Sequence, residues 1–347
     1  MKKYIHVGCG NWGNVWLTRM IPDARDVAEC VALVDINPVV LQHAGEVLGL
    51  PKEALYEDLK TALQEHQVDF VSVATSIPSH LEVVKTILKY GRGCHILSEK
   101  PIAGNMEESL EIYRLVKEAG IKFAVTFSHR YEDDKQTFEK LLRDNYGGKL
   151  NYLTSRISIS RTQGNTGHAI HPVEMLFIDG GIHNLDMIRA FAGCNAEEVY
   201  AQAWNIEWEK HDRGAATAFV IMKMENGVRA NLEFEFGGAH TYNNWTKEYF
   251  RAECENASIE LDNRCITARS MEGFPTPSVC EIPLLKGDHW KHDLIIRQFI
   301  DWMDGGPAPD VSIDESIHAM GMLYAVVESS RTGKPVNVKE FMSRYGF

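Results

Sequence analysis

The chain has 347 residues, 44% hydrophobic and 24% charged, with a formal net charge of −12. That is the composition of a globular chain long enough for about two domains, and its acidic excess argues against a nucleic-acid or anionic-membrane partner. The 7 cysteines are scattered without a C-x-x-C pair, which signals neither a zinc ribbon nor a disulfide framework and suits a reducing cytoplasm. No apolar run approaches the ~18 residues of a membrane helix, and the run behind Met1-Lys2-Lys3 breaks at Gly8, too early for a signal-peptide core.

The first predicted strand, Lys3–Val7, runs straight into Gly8-Cys9-Gly10-Asn11-Trp12-Gly13. A helical pattern follows over Asn14–Met20, then a second strand, Cys30–Val34, ending in Asp35. A G-x-G-x-x-G between strand and helix, with an acid ~20 positions on, is a dinucleotide fingerprint. Asp35 lies 22 positions past Gly13. Gly8 permits the tight turn, Gly10 lets a pyrophosphate reach the backbone, and Gly13 lets helix and strand pack closely. Asn11 and Trp12 belong to the same cofactor-binding loop. Asp35 suits the ribose hydroxyls and repels a 2′-phosphate, and no basic residue follows at once to accept one. The expected cofactor is NAD in preference to NADP.

Further strands are predicted at Phe70–Ala74, Cys94–Leu97 and Lys122–Phe127. Helices fall between them at Val39–Leu48, Leu59–Glu65, Ser79–Tyr90 and Met106–Ala119. The last has Asn105 as N-cap, Glu108 three residues on and Gly120 as its stop. Strands alternating with helices specify a parallel sheet of Rossmann type, which binds ligands beyond the carboxyl ends of its strands. The residues at those ends are Thr75-Ser76, Glu99-Lys100-Pro101 and Ser128-His129-Arg130.

After about residue 148 the pattern changes to long β-rich runs. Strands are expected at 150–160, Glu198–Ala203, Ala215–Met224, Val228–Phe236, Glu248–Cys254 and Ser258–Leu261, with Glu225-Asn226-Gly227 as a hairpin turn. Helices are expected at Ile182–Ala192, Asp293–Asp304 and Ile313–Arg331, the last capped by Ser312 with Glu315. The fold class is therefore α/β. A Rossmann domain over 1–127 precedes an α+β domain over 128–347, with a large, mostly antiparallel open sheet and late helices returning to the first domain. The apolar strand residues Phe219, Ile221, Met222, Met224, Leu232, Phe234 and Phe236 exceed what one sheet face needs, which predicts a homodimer or homotetramer.

Three landmarks complete the pattern. They are Ala74-Thr75-Ser76-Ile77-Pro78-Ser79-His80, Glu99-Lys100-Pro101, and Asp179-Gly180-Gly181-Ile182-His183-Asn184-Leu185-Asp186. With the glycine fingerprint, they make the chain resemble the glucose–fructose oxidoreductase / inositol dehydrogenase / rhizopine catabolism (Gfo/Idh/MocA) family over nearly its full length. The resemblance implies NAD(P)-dependent hydride transfer, with Lys100 bridging substrate and cofactor. It implies cofactor contacts from Thr75, Ser76, Pro78, His80, Glu99, Lys100 and Arg130. The chain departs from the family after its last Rossmann strand. Many members read F-N-R-R where this chain reads Phe127-Ser128-His129-Arg130, so the asparagine's contacts do not transfer.

Oxidising a secondary alcohol requires a base for the hydroxyl proton while nicotinamide takes the hydride. His183 is the candidate base, because imidazole titrates near neutrality. Asp179 orients it or binds a substrate hydroxyl, and Lys100 stabilises the developing alkoxide. Arg156, His168 and His171 are candidate substrate contacts with Lys100, Asp179 and His183; Trp245, His289 and Trp290 are weaker ones. The loop 161–172 reads as a polar lid. A metal reading of His168, His171 and Glu174 fails because Pro172 breaks the helical spacing and hydride transfer needs no metal. The expected enzyme is a sugar or polyol dehydrogenase. Two alternatives stand beside it: a glycosidase or lyase that oxidises, eliminates and reduces with retained NAD, and a non-catalytic NAD or sugar sensor.

Overall fold

A computed structural model describes residues 1–160, 176–206, 216–238, 243–270 and 278–347. The chain divides into two compact units, Met1–Ser128 with His289–Ile317, and His129–Asp288 with His318–Phe347.

The first unit is built on six strands: β1 (Lys2–Val7), β2 (Ala28–Val34), β3 (Leu55–Tyr56), β4 (Phe70–Val73), β5 (His95–Ser98) and β6 (Phe123–Val125). Their order is β3-β2-β1-β4-β5-β6, and every pairing is parallel. Strands covered on both faces are apolar without alternation, and Phe70, Val71 and Val73 are buried accordingly. Asn37 caps the helix Pro38–Leu48 by accepting from Val39 N at 3.0 Å. Asn105 caps Met106–Ala119 by accepting from Glu108 N at 2.8 Å. The helix expected over Asn14–Met20 begins at Asn11, and its second half, Trp16–Met20, is a π-helix. The fingerprint glycine Gly13 is thus already inside a helix. The late helix Lys291–Met303 also belongs here: Arg297 binds Asp26 at 2.7 Å, and Phe299 meets Phe70 edge-on at 5.7 Å.

The second unit carries nine described strands: β7 (Leu150–Ser160), β8 (Ala196–Trp204), β9 (Thr217–Met224), β10 (Arg229–Gly238), β11 (Tyr249–Cys254), β12 (Ala257–Asp262), β13 (Cys265–Ser270), β14 (Ser278–Ile282) and β15 (Val336–Asn337). Their order is β14-β13-β12-β11-β7-β10-β9-β8-β15. Only β7 and β10 run parallel; the other pairs are antiparallel. The sheet is mostly antiparallel, as the β-rich sequence specifies. Asn226 and Gly227, the latter at φ 87°, close the β9–β10 hairpin, with Asn226 Oδ1 accepting from Val228 N at 3.1 Å. Along β7, Leu153, Ser155, Ile157, Ser158 and Ile159 are buried. Asn184, in the helix Ile182–Ala192, donates to Ser155 Oγ at 2.8 Å, which sets that helix on the face that carries Ser155.

On β9, Val220, Met222 and Met224 face the core, whereas Phe219 is 51% and Ile221 58% exposed. Trp204 stacks edge-on against Phe219 at 5.2 Å. No described helix is long and apolar enough to cross a membrane.

Candidate active site

In the dinucleotide loop each fingerprint glycine meets a different constraint. Gly8 has φ 95°, and a Cβ there would lie 2.5 Å from Ala74 O. A Cβ on Gly13 would collide with Gly8 O. At Gly10 nothing lies within 4 Å of the Cβ position, so the open space is on the face where a pyrophosphate needs backbone access. Half-buried Asp35 accepts from Cys9 N at 2.7 Å and Asn37 N at 2.9 Å, one bond to each oxygen. Each oxygen keeps lone pairs for ribose hydroxyls. These residues fit a bound dinucleotide.

The loops after β4 and β5 are tied together by His80. Its ring is 1% exposed, with Nδ1 3.0 Å from Pro101 O and 3.2 Å from Ile102 O, and Nε2 3.2 Å from Thr75 O. Neutral His80 donates from one ring nitrogen to these carbonyls, which lie on the loops after β4 and β5. Thr75 is half-buried, Ser76 and Pro78 are exposed, and Lys100 precedes Pro101 through a cis peptide. Glu99 is buried and accepts from Trp16 Nε1 at 2.8 Å, with His292 Nε2 at 3.5 Å. Burial alone would raise its pKa; His292 and the indoles of Trp12 and Trp16 outweigh that and hold it at about 2. Trp12 itself is 47% exposed.

The second unit holds Asp179 and His183. The turn Leu176–Gly181 is π-helical and leads into the helix Ile182–Ala192, so the two residues are one turn apart. Gly180 is closely packed: a Cβ there would lie 2.7 Å from the Phe234 ring and 2.9 Å from the Trp245 ring, so these rings would have to shift. His183 is buried, and its ring stacks on His129 with centroids 3.8 Å apart and planes 7° from parallel. Trp245 stands edge-on to both, 6.5 Å from His183 and 6.2 Å from His129. His129 Nδ1 lies 2.6 Å from Glu248 Oε1.

Below this pair is a buried ionic cluster. Lys135 Nζ contacts Glu132 at 2.9 Å, Asp134 at 3.1 Å and Glu248 at 3.0 Å, and all four side chains are at most 1% exposed. Arg264 joins Glu132, Asp133 and Asp134 from outside. The sequence assigned no role to His129, Glu248 or Lys135.

Other expected site residues fall elsewhere. Arg130 pairs with Asp186 at 3.6 Å within the second unit. Arg156 alternates with buried Ser155 and Ile157, so its side chain leaves β7 on the face opposite theirs. There its Nε donates to Asn243 Oδ1 at 2.8 Å, and its guanidinium covers the Tyr249 ring. His289 Nδ1 is 2.6 Å from Asp293 Oδ2. His168, His171 and the 161–172 loop lie outside the described residues.

The fold and loops define an NAD-binding oxidoreductase of two-domain type. Residues 2–127 match the family described as "Oxidoreductase family, NAD-binding Rossmann fold", and residues 136–260 match the Gfo/Idh/MocA C-terminal domain. The chain belongs to the Gfo/Idh/MocA family. It is 32% identical to an uncharacterised protein, y4oX, of Sinorhizobium fredii, over 99% of this chain and 97% of the relative. It is 23% identical to a D-apiose dehydrogenase of Paraburkholderia graminis, over 96% of this chain and 88% of the relative. Other curated relatives are named as sugar, glucoside and inositol dehydrogenases. The fold is shared with an Agrobacterium radiobacter oxidoreductase solved with NAD+, L-tartaric acid and magnesium, with TM-score 0.81, 18% identity and coverage of 98% and 99% of the two chains.

Proposed function

We propose that this chain is an NAD-dependent dehydrogenase that removes a hydride from a secondary hydroxyl of a cyclic polyol, sugar or glycoside. The observation that carries the reading is His183, a buried imidazole one turn after Asp179 in a family whose named relatives oxidise sugars and inositol. Bound NAD would accept the hydride. His183 accepts the hydroxyl proton, and Asp179 holds the imidazole or a neighbouring substrate hydroxyl in place. Lys100 supplies positive charge to the oxygen as it becomes alkoxide-like. Gly8, Gly10, Asn11, Trp12, Gly13, Asp35, Thr75, Ser76 and Pro78 hold the dinucleotide; His80 and Glu99 fix the loops that carry Thr75 and Lys100.

Stoichiometry tests this reading. With a panel of polyols, sugars and glycosides, NADH accumulates one for one with oxidised substrate, and each turnover requires added NAD. Many products per bound NAD, with solvent deuterium entering the sugar, would replace it by an oxidation–elimination–reduction cycle.

The preferred cofactor is NAD, because Asp35 faces the position of a 2′-phosphate. Asp35→Ser narrows the NAD:NADP ratio of kcat/KM. Wild-type enzyme that uses NADP as well as NAD refutes the assignment.

The same chain forms a homodimer or homotetramer through the outer face of β8 and β9, where Trp204, Phe219 and Ile221 leave apolar surface exposed. Light scattering gives a multiple of the 39.2 kDa chain mass, and Phe219→Glu with Ile221→Glu lowers it. A concentration-independent monomer of the wild type is the opposing result.

A further inference from the structure

The helix that begins at Asn11 carries two tryptophans, and both serve one buried carboxylate. Trp16, 1% exposed, donates from Nε1 to Glu99 Oε1 at 2.8 Å. Trp12, inside the glycine fingerprint, helps hold the same carboxylate ionised. A buried carboxylate keeps its charge only with groups that favour the charged form. The third such group comes from the far end of the chain. His292, on the helix Lys291–Met303, is buried and brings Nε2 to 3.5 Å from Glu99 Oε1. Its ring also packs on both indoles, edge-on to Trp16 at 5.7 Å and tilted to Trp12 at 6.4 Å.

Two other histidines feel the charge of Glu99, and neither takes this place. Burial pushes His6 down to about 4 and lowers His80 too, so both are neutral at neutral pH. His6 Nδ1 lies 2.8 Å from Ser72 Oγ, and its ring stacks on Trp16 at 5.4 Å. The ring of His80 lies among the carbonyls of Thr75, Pro101 and Ile102. His292 lies outside residues 2–127 and 136–260, the two segments that match the family.

We propose that His292 is a positioning residue for the cofactor: by holding Glu99 against Trp12 and Trp16, it keeps the dinucleotide loop in the shape that takes the pyrophosphate. The proposal rests on the glycine loop binding the dinucleotide, and it is independent of the substrate. Without His292 a buried carboxylate is left short of a partner. It takes up a proton or draws in water, and either change loosens its hold on the indoles. Trp12 is one residue before Gly13, which packs so closely on Gly8 that a Cβ would collide with Gly8 O. A displaced helix start therefore reaches the glycine turn directly.

Calorimetric titration with NADH tests this. In His292→Phe, which keeps a ring against the indoles and removes the nitrogen, the dissociation constant rises about tenfold, the scale of one bond to a charged group. His292→Gln sets an amide nitrogen near the place of Nε2 and recovers most of the affinity. On the identified substrate the loss appears in KM for NAD, while kcat at saturating NAD falls less. Unchanged NADH affinity in His292→Phe overturns the proposal, and so does His292→Gln binding as weakly as His292→Phe. Trp12→Phe alters an exposed side chain and so tests the route without disturbing the core. It weakens NADH by itself, and adding His292→Phe then weakens it by less than in the wild type. Fully multiplicative losses, or a Trp12→Phe protein with wild-type affinity, would also overturn the proposal. Wild-type protein that binds neither NADH nor NADPH is a separate failure: it removes the cofactor reading, and the role of His292 with it.

Discussion

Replacing His183 or Lys100 by alanine lowers kcat by about two to four orders of magnitude, the range for loss of an acid–base or charge-stabilising group. That loss corresponds to roughly 3–5 kcal/mol of transition-state stabilisation. The two variants separate in binding. His183→Ala leaves NAD affinity close to wild type, because His183 and the glycine loop with Asp35 belong to different units of the chain. Lys100→Ala weakens NAD as well, because Lys100 follows the end of β5 in the dinucleotide-binding unit. Fluorescence titration with NADH and steady-state rates on the identified substrate measure both. Arg156→Ala serves as the control. Its side chain lies across the sheet from Ser155, which bonds the His183 helix, so its turnover stays near wild type. Near-wild-type turnover in both His183→Ala and Lys100→Ala would remove the catalytic assignment.

The cofactor half of the site was legible because its signals are local. A glycine that tolerates φ 95° and another whose Cβ position is open stand two residues apart, and the strand-end acid follows at a fixed spacing. The spacing of Asp179 and His183 was legible for the same reason: four residues set them one turn apart. The His129–Glu248 contact spans 119 positions and exists only because β11 pairs with β7 in one register. No periodicity encodes that. The helix Asp133–Arg143 escaped the sequence reading because part of its buried face is charged: Asp134 and Lys135 lie inside with Phe138. Hydrophobic periodicity identifies a helix by apolar residues facing the core, and here ion pairs replace some of them. The π-turns over Trp16–Met20 and Leu176–Gly181 escaped because a 3.6-residue template cannot register a wider turn.

Removing the ammonium of Lys135 destabilises the protein by about 3–5 kcal/mol at neutral pH, the cost of breaking a buried ion pair by deleting one partner. Lys135→Met is close in length and apolar, so the loss reports charge. Glu132, Asp134 and Glu248 then remain buried without the Lys135 ammonium that contacts all three. The pH dependence has a defined sign. In the wild type, Glu248 is depressed below its unfolded value, so its contribution is complete above the ordinary carboxylate pKa and is lost as pH falls through its folded pKa. In Lys135→Met that contribution is already reduced at pH 7, and acid relieves the unpaired carboxylates by protonating them. Asp134 takes a proton first, because burial already pushes its pKa up. The stability gap between the two proteins therefore narrows as pH falls from 7 towards 4.5. Urea unfolding at several pH values measures it. Lys135→Met with Glu248→Gln recovers part of the stability at neutral pH, since it removes a carboxylate that has lost its partner. A loss of less than about 1 kcal/mol in Lys135→Met, with no pH dependence, would place the cluster among ion pairs of negligible net worth.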